Sequence, residues 1–138
     1  MRAKEHSVEM TAAPEQIWRV WSDVSEWPEW NGDIERIELV GSFAPGGRIV
    51  MTPFGDEPIE LRIADAIKPE LFVDEAELDE ILVRTVHRVD ALDDDRARIT
   101  YRTEITGPAA DTLAPQIGPE ISADFPETLA GLAKRAES

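Results

Sequence analysis

The sequence predicts an α+β chain in which an antiparallel sheet is covered by a long C-terminal helix. Three observations carry this prediction. Apolar residues alternate along short runs between Ile34 and Ile105, the period-two pattern of half-buried strands. The runs are separated by PGG, FGDEP, KPE and DALDDDR, which are short and rich in Gly, Pro and Asp, as hairpin turns are. Beyond Gly107 and Pro108 the period changes: Leu113, Ile117, Ile121, Phe125, Leu129 and Leu132 form one helical stripe.

The elements follow in order. EHSVEMT, residues 5–11, alternates His6, Val8 and Met10 against polar neighbours and suits an opening strand. In PEQIWRVWSDV, Pro14 fits a helix first turn, and Ile17, Trp18, Trp21 and Val24 recur at helical spacing. Asp23 with Glu26 three residues on resembles a capping box, so a second short helix is expected from there to about Pro28. IERIELVG, GGRIVMTPF, IELRIADAI, LFVDEAEL, EILVRTVHRV and RARITYRTEI are the six further strands. Pro115, Gly118 and Pro119 break the last helical region, and Pro126 either kinks a helix starting near Pro119 or opens a fresh one. From Pro119 to Ala136 such a helix spans about 27 Å. A meander of this kind has one dry and one wet face, and the last helix is expected to be the element that covers the dry one.

Composition narrows the function. The chain has 138 residues with 42% apolar content, which suits one domain over 1–138 with a real core. Without cysteine, disulfides, thiolate zinc sites and cysteine nucleophiles are excluded. Two histidines, His6 and His87, make a multi-histidine metal centre a poor expectation. No run reaches the roughly 20 apolar residues of a membrane span, and MRAKEHSVEM lacks the apolar core of a signal peptide, so a cytoplasmic location is expected. The net charge of −15, from 29 acids and 14 bases, opposes nucleic acid and anionic lipid as partners. Neither a phosphate-binding loop nor a GxSxG elbow is present, and no cofactor is expected.

The run APEQIWRVWSDVSEWPEWNGDIERIEL, with Trp18, Asp23, Trp27, Pro28 and Trp30, resembles the opening segment of the polyketide cyclase/START-like (SRPBCC) superfamily. HRV, ARITYRTEITGPAAD and ADFPETLAGLAKRAE resemble the closing strands and helix of its small bacterial members. The resemblance implies the helix-grip fold, a curved sheet of about seven strands wrapped on the C-terminal helix, with a cavity between them. It is less specific about activity, because members carry hydrophobic ligands, shuttle lipids, or cyclise and dehydrate polyketides.

Candidate site residues come from strand parity. In ILVRTVHRV, Leu82, Arg84, Val86 and Arg88 share the wet face, which places Ile81, Val83, Thr85, His87 and Val89 on the dry one. In RARITYRTEI, Ile99, Tyr101, Thr103 and Ile105 face inward by the same logic. His87, Tyr101, Thr85 and Thr103 are thus polar tips on an apolar wall, the usual composition of a small-molecule site. Asp65 falls in the apolar row of Ile59, Leu61, Ile63 and Ile67, where it would orient or pair with the histidine; the competing reading is a solvated strand end. Glu75 and Glu77 are expected to face water. Trp18 and Trp21 are expected to pack, as are Trp27 and Trp30, while Ile121 and Phe125 would supply the helix side of the cavity.

Three functions remain in play. The leading one is binding of a small hydrophobic or aromatic molecule by His87, Tyr101, Thr85, Thr103, Val83, Ile63, Asp65, Ile121 and Phe125, in a monomer or homodimer. The second is a cyclase or dehydratase in which His87 moves protons. The third is an interaction module using the acidic outer face. Against the first two stands a core histidine satisfied by Tyr101 or a backbone carbonyl.

Overall fold

The computed structural model describes residues 2–32, 34–55, 57–78, 81–109 and 125–137. Strand β1 (Arg2–Met10) leads into helix α1 (Pro14–Ser22) and a 3₁₀ turn over Val24–Glu29. Six strands follow: β2 (Ile34–Val40), β3 (Arg48–Pro53), β4 (Ile59–Ile67), β5 (Leu71–Leu78), β6 (Ile81–Ala91) and β7 (Ala97–Thr106). Helix α2 (Phe125–Glu137) closes the described chain. The strands form one curved antiparallel sheet in the order β1-β7-β6-β5-β4-β3-β2. Consecutive strands pair because their connections are short, and β1 adds to β7 rather than to β2.

Helix α1 begins where Pro14 predicts, and the Gln16 side chain accepts the Ala13 N–H at 2.7 Å. The expected capping box at Asp23 is not formed. Its carboxylate accepts the Ser25 hydroxyl at 3.3 Å instead, and the segment winds as 3₁₀ with Pro28 inside it. Pro126 is a first-turn residue of α2, which suits its missing N–H. The expected earlier start of this helix near Pro119 falls on 119–124, which lies outside the described residues.

Parity decides the layers. Along β7, Ala97, Ile99, Tyr101, Thr103 and Ile105 are buried and their neighbours are not. Leu129 and Leu132 of α2 are fully enclosed against the inner face, as the stripe predicts. Helix α2 does not cover the sheet alone, however. Ile17, Trp18 and Trp21 of α1, with Val24 and Trp27 of the 3₁₀ turn, belong to the same buried cluster, because large side chains at helical spacing supply an apolar stripe of their own. The wet face carries a ladder of opposite charges across five strands: Arg62–Glu75 at 2.7 Å, Glu75–Arg84 at 3.4 Å, Arg84–Glu104 at 3.8 Å, Glu104–Arg102 at 3.1 Å and Arg102–Glu5 at 3.9 Å. No helix among the described residues is long and apolar enough to cross a membrane.

The seating of α2 depends on Gly131. A Cβ there would fall inside the van der Waals shell of the Trp30 carbonyl oxygen. Alanine is favoured over glycine in a helix by about 1 kcal/mol, so propensity and packing oppose each other here. Packing wins: Gly131→Ala is expected to lower the urea midpoint of the full chain, and a raised midpoint would show that α2 stands further from Trp30. Leu132→Ala is expected to cost about 2–5 kcal/mol in the same measurement.

Candidate functional site

The inner face of the central strands is built in rows set by strand register. One row reads Ala66 (β4), Phe72 (β5), His87 (β6) and Tyr101 (β7). The next row along the strands reads Ile63, Asp74, Thr85 and Thr103. Beyond it lie Ala76, Val83 and Ile105. The first row joins the large cluster under α1 and α2, and the third heads a separate cluster with Ile81. The row between them holds a carboxyl and two hydroxyls.

His87 faces inward and is 8% exposed. Its ring stacks on Phe72 with centroids 3.9 Å apart and meets the Tyr101 ring edge-on at 4.5 Å. Trp21 packs beside both and donates its indole N–H to the Tyr101 hydroxyl at 3.1 Å. Trp27 in turn donates to the Trp21 carbonyl at 2.9 Å, which ties the 3₁₀ turn to this layer. The imidazole Nδ1 lies 3.3 Å from the Phe72 carbonyl oxygen. A carbonyl only accepts, so Nδ1 carries the proton and Nε2 is left with its lone pair.

Nε2 faces Asp74, whose Oδ2 lies 3.8 Å away. Asp74 is 6% exposed, and among the described residues no hydrogen bond reaches its oxygens. The distance is that of an ion pair, but the electrostatics are not. Burial pushes the Asp74 carboxyl up to about 7, with the nearby Glu75 charge adding to the shift. Burial lowers His87 to about 3, against a smaller upward effect of the Phe72 carbonyl. A proton shared by the two groups therefore resides on Asp74, and the imidazole stays neutral. Tyr101 is raised above its ordinary value, first by burial and also by the Asp74 charge. Thr85 and Thr103 share a hydrogen bond of 3.2 Å.

The inward residues read from the sequence are placed as expected: His87, Tyr101, Thr103, Val83 and Ile63 are buried, and Thr85 is half-buried beside them. Asp65 is not among them. The register of β4 shifts between Ile63 and Asp65, so Asp65 pairs with Val73 on the opposite face, and its carboxylate accepts the Ala66 N–H at 2.9 Å. Period-two parity counted from Ile59 fails across that irregularity. The carboxyl beside the histidine is Asp74, which sequence reasoning missed. Its signal was available, since the alternation that sends Glu75 and Glu77 outward sends Phe72, Asp74 and Ala76 inward. Ile121 and the Phe125 side chain lie outside the described residues. Two surface hollows, of about 230 Å³ beside Arg19 and Arg135 and about 340 Å³ beside Pro69 and Arg88, do not include His87 in their walls.

A profile of the polyketide cyclase / dehydrase and lipid transport family matches residues 10–126, most of the chain. The chain belongs to that family. Solved structures show the same architecture at low identity. The family member is similar to norcoclaurine synthase from Thalictrum flavum, solved in complex with dopamine and hydroxybenzaldehyde, with 17% identity, 96% of this chain and 84% of that one covered, and a TM-score of 0.77. It is similar to a START superfamily protein from Mycobacterium smegmatis, with 19% identity, coverage of 98% and 94%, and a TM-score of 0.69. A protein from Thermobifida fusca solved in solution gives 22%, 99% and 93%, and 0.74. These likenesses establish the helix-grip fold. Among curated proteins there is no significant sequence match.

Asp74 and His87 bend the stability curve in opposite directions. Asp74, raised from 3.8 to about 7, favours the folded state below about 3.8, and that contribution is lost as pH rises through about 7. His87, lowered from 6.5 to about 3, favours it above about 6.5, and that contribution is lost as pH falls through about 3. Between about 4 and 6.5 the two slopes offset each other. Asp74→Asn removes one of them. Its stability relative to the wild type is expected to rise from about pH 4 to about pH 7 by up to about 1.4 kcal/mol per pH unit in urea titrations. A pH-independent difference would show that Asp74 titrates normally.

Proposed function

We propose that this family member binds a small hydrophobic or aromatic molecule between the inner face of its sheet and helix α2. The observation that supports this is the Asp74, Thr85 and Thr103 row. It places three polar groups between two apolar clusters, where a packed core gains nothing from them. A few polar groups on an apolar wall orient a ligand whose body fills the apolar part. The family's range, from polyketide cyclisation to lipid transport, agrees with such a ligand. So does the relative of the same fold that holds two small aromatic molecules.

The test is native mass spectrometry of the purified chain against its denatured mass, followed by tryptophan fluorescence titration with the released molecule or with aromatic probes. Trp21 contacts the His87 layer and reports on occupancy. A retained or titratable ligand is expected in the wild type, and Thr85→Phe, which fills the polar row, is expected to abolish it. Equal binding by both proteins would move the ligand elsewhere.

A second reading is supported by one further observation. The Phe72 carbonyl fixes the proton of His87 on Nδ1 and leaves Nε2 facing a carboxyl that keeps its proton near neutral pH. Of the two groups, Asp74 near 7 can give a proton to a substrate and take it back, with the neutral, oriented imidazole of His87 beside it, an arrangement that fits a cyclase or dehydratase. His87→Ala separates the readings once a substrate is known. A carrier keeps its function through changed affinity alone, whereas an enzyme loses kcat while still binding.

A further inference from the structure

We propose that the ligand of the inner face is an amphipathic amine, held with its protonated nitrogen against Asp74 and its apolar body along the aromatic row and the Val83–Ile105 cluster. This rests on the reading of the inner face as a ligand site and names the class of molecule that fits it. Asp74 is the observation that carries it. The carboxyl is 6% exposed and, among the described residues, accepts no hydrogen bond. Its neighbour Glu75, on the other face of the same strand, is met by two arginines. Across its own row Asp74 meets Ile63, Thr85 and Thr103, none of them cationic. Lys4 ends the row on β1, three strands or roughly 14 Å away, and is exposed. Among the described residues, the titratable groups that face Asp74 are His87 from β6, which is neutral, and Tyr101 from β7, with Glu75 beside it on β5.

A buried carboxylate without a counter-charge is costly, and a ligand cation removes that cost. The surroundings suit a cation in one further way. The net charge of −15 draws cations toward the protein and repels anions. A carboxylic acid ligand would meet a like charge, and an alcohol would donate one hydrogen bond to the carboxylate without supplying the counter-charge that an ammonium brings.

The test is calorimetric titration of the full chain at about pH 8 with three ligands of one shape: 2-phenylethylamine, 2-phenylethanol and 3-phenylpropionate. The amine is expected to bind at least about tenfold tighter than the alcohol, and the carboxylate not at all. Asp74→Asn, a neutral variant of the same shape, is expected to remove the preference for the amine and keep the alcohol affinity. At about pH 7 amine binding is expected to release protons in the wild type, seen by comparing phosphate with Tris buffer, and none in Asp74→Asn. Equal affinities for amine and alcohol, or a preference that survives Asp74→Asn, would overturn the amine and leave a ligand site. No binding of either would remove both.

Discussion

The pairing of β5 with β6 governs the inner face of this protein. It sets Phe72 opposite His87 and Asp74 opposite Thr85, and β7 extends both rows with Tyr101 and Thr103. A slip of one residue would turn the imidazole and the carboxyl into water and bring Arg84 and Arg88 inside. The charge ladder on the wet face opposes that slip, because Arg84 is held between Glu75 and Glu104 while Glu75 is also held by Arg62. Individual surface pairs contribute little, but a slip would break the connected set and bury its charges. The inward polar row and the solvent-facing ladder are therefore two sides of one register.

Within that register the chemistry follows from enclosure. His87 is stacked on Phe72 and ringed by Trp21 and Tyr101, so water cannot solvate an imidazolium. Its hydrogen bond to a carbonyl settles which nitrogen holds the proton. Asp74 is enclosed slightly more fully and lies beside Thr85, whose hydroxyl is hydrogen-bonded to that of Thr103. The pair holds one ionisable proton in a site where either charge would be poorly solvated.

Most of the architecture is legible in the sequence because parity and period carry it. Pro14, the Gly- and Pro-rich separators and the Leu129–Leu132 stripe mark the elements, and Arg84 and Arg88 orient β6 well enough to place His87 inside. Two features are not legible in the same way. Simple parity puts Asp65 in the inner row because nothing in IELRIADAI announces the register shift after Ile63. Asp74 is easily passed over because it stands among acids that face water, although its parity differs from that of Glu75 and Glu77. The role of α1 in covering the sheet is also understated: Trp18 and Trp21 read as packing residues, but the longer C-terminal stripe reads as the whole cover, whereas their size lets a helix of 9 residues join the main core.

The central claim is that His87 is a buried neutral imidazole facing a carboxyl that holds its proton up to about pH 7. Direct titration by NMR tests it, following the ¹⁵N shifts of the His87 ring and the ¹³C shift of the Asp74 carboxyl from about pH 4 to about pH 8. His87 is expected to remain the Nδ1–H tautomer throughout, with the Asp74 carboxyl titrating near 7. An imidazole that protonates near its ordinary value of about 6.5, or an Asp74 that titrates near about 4, would contradict it.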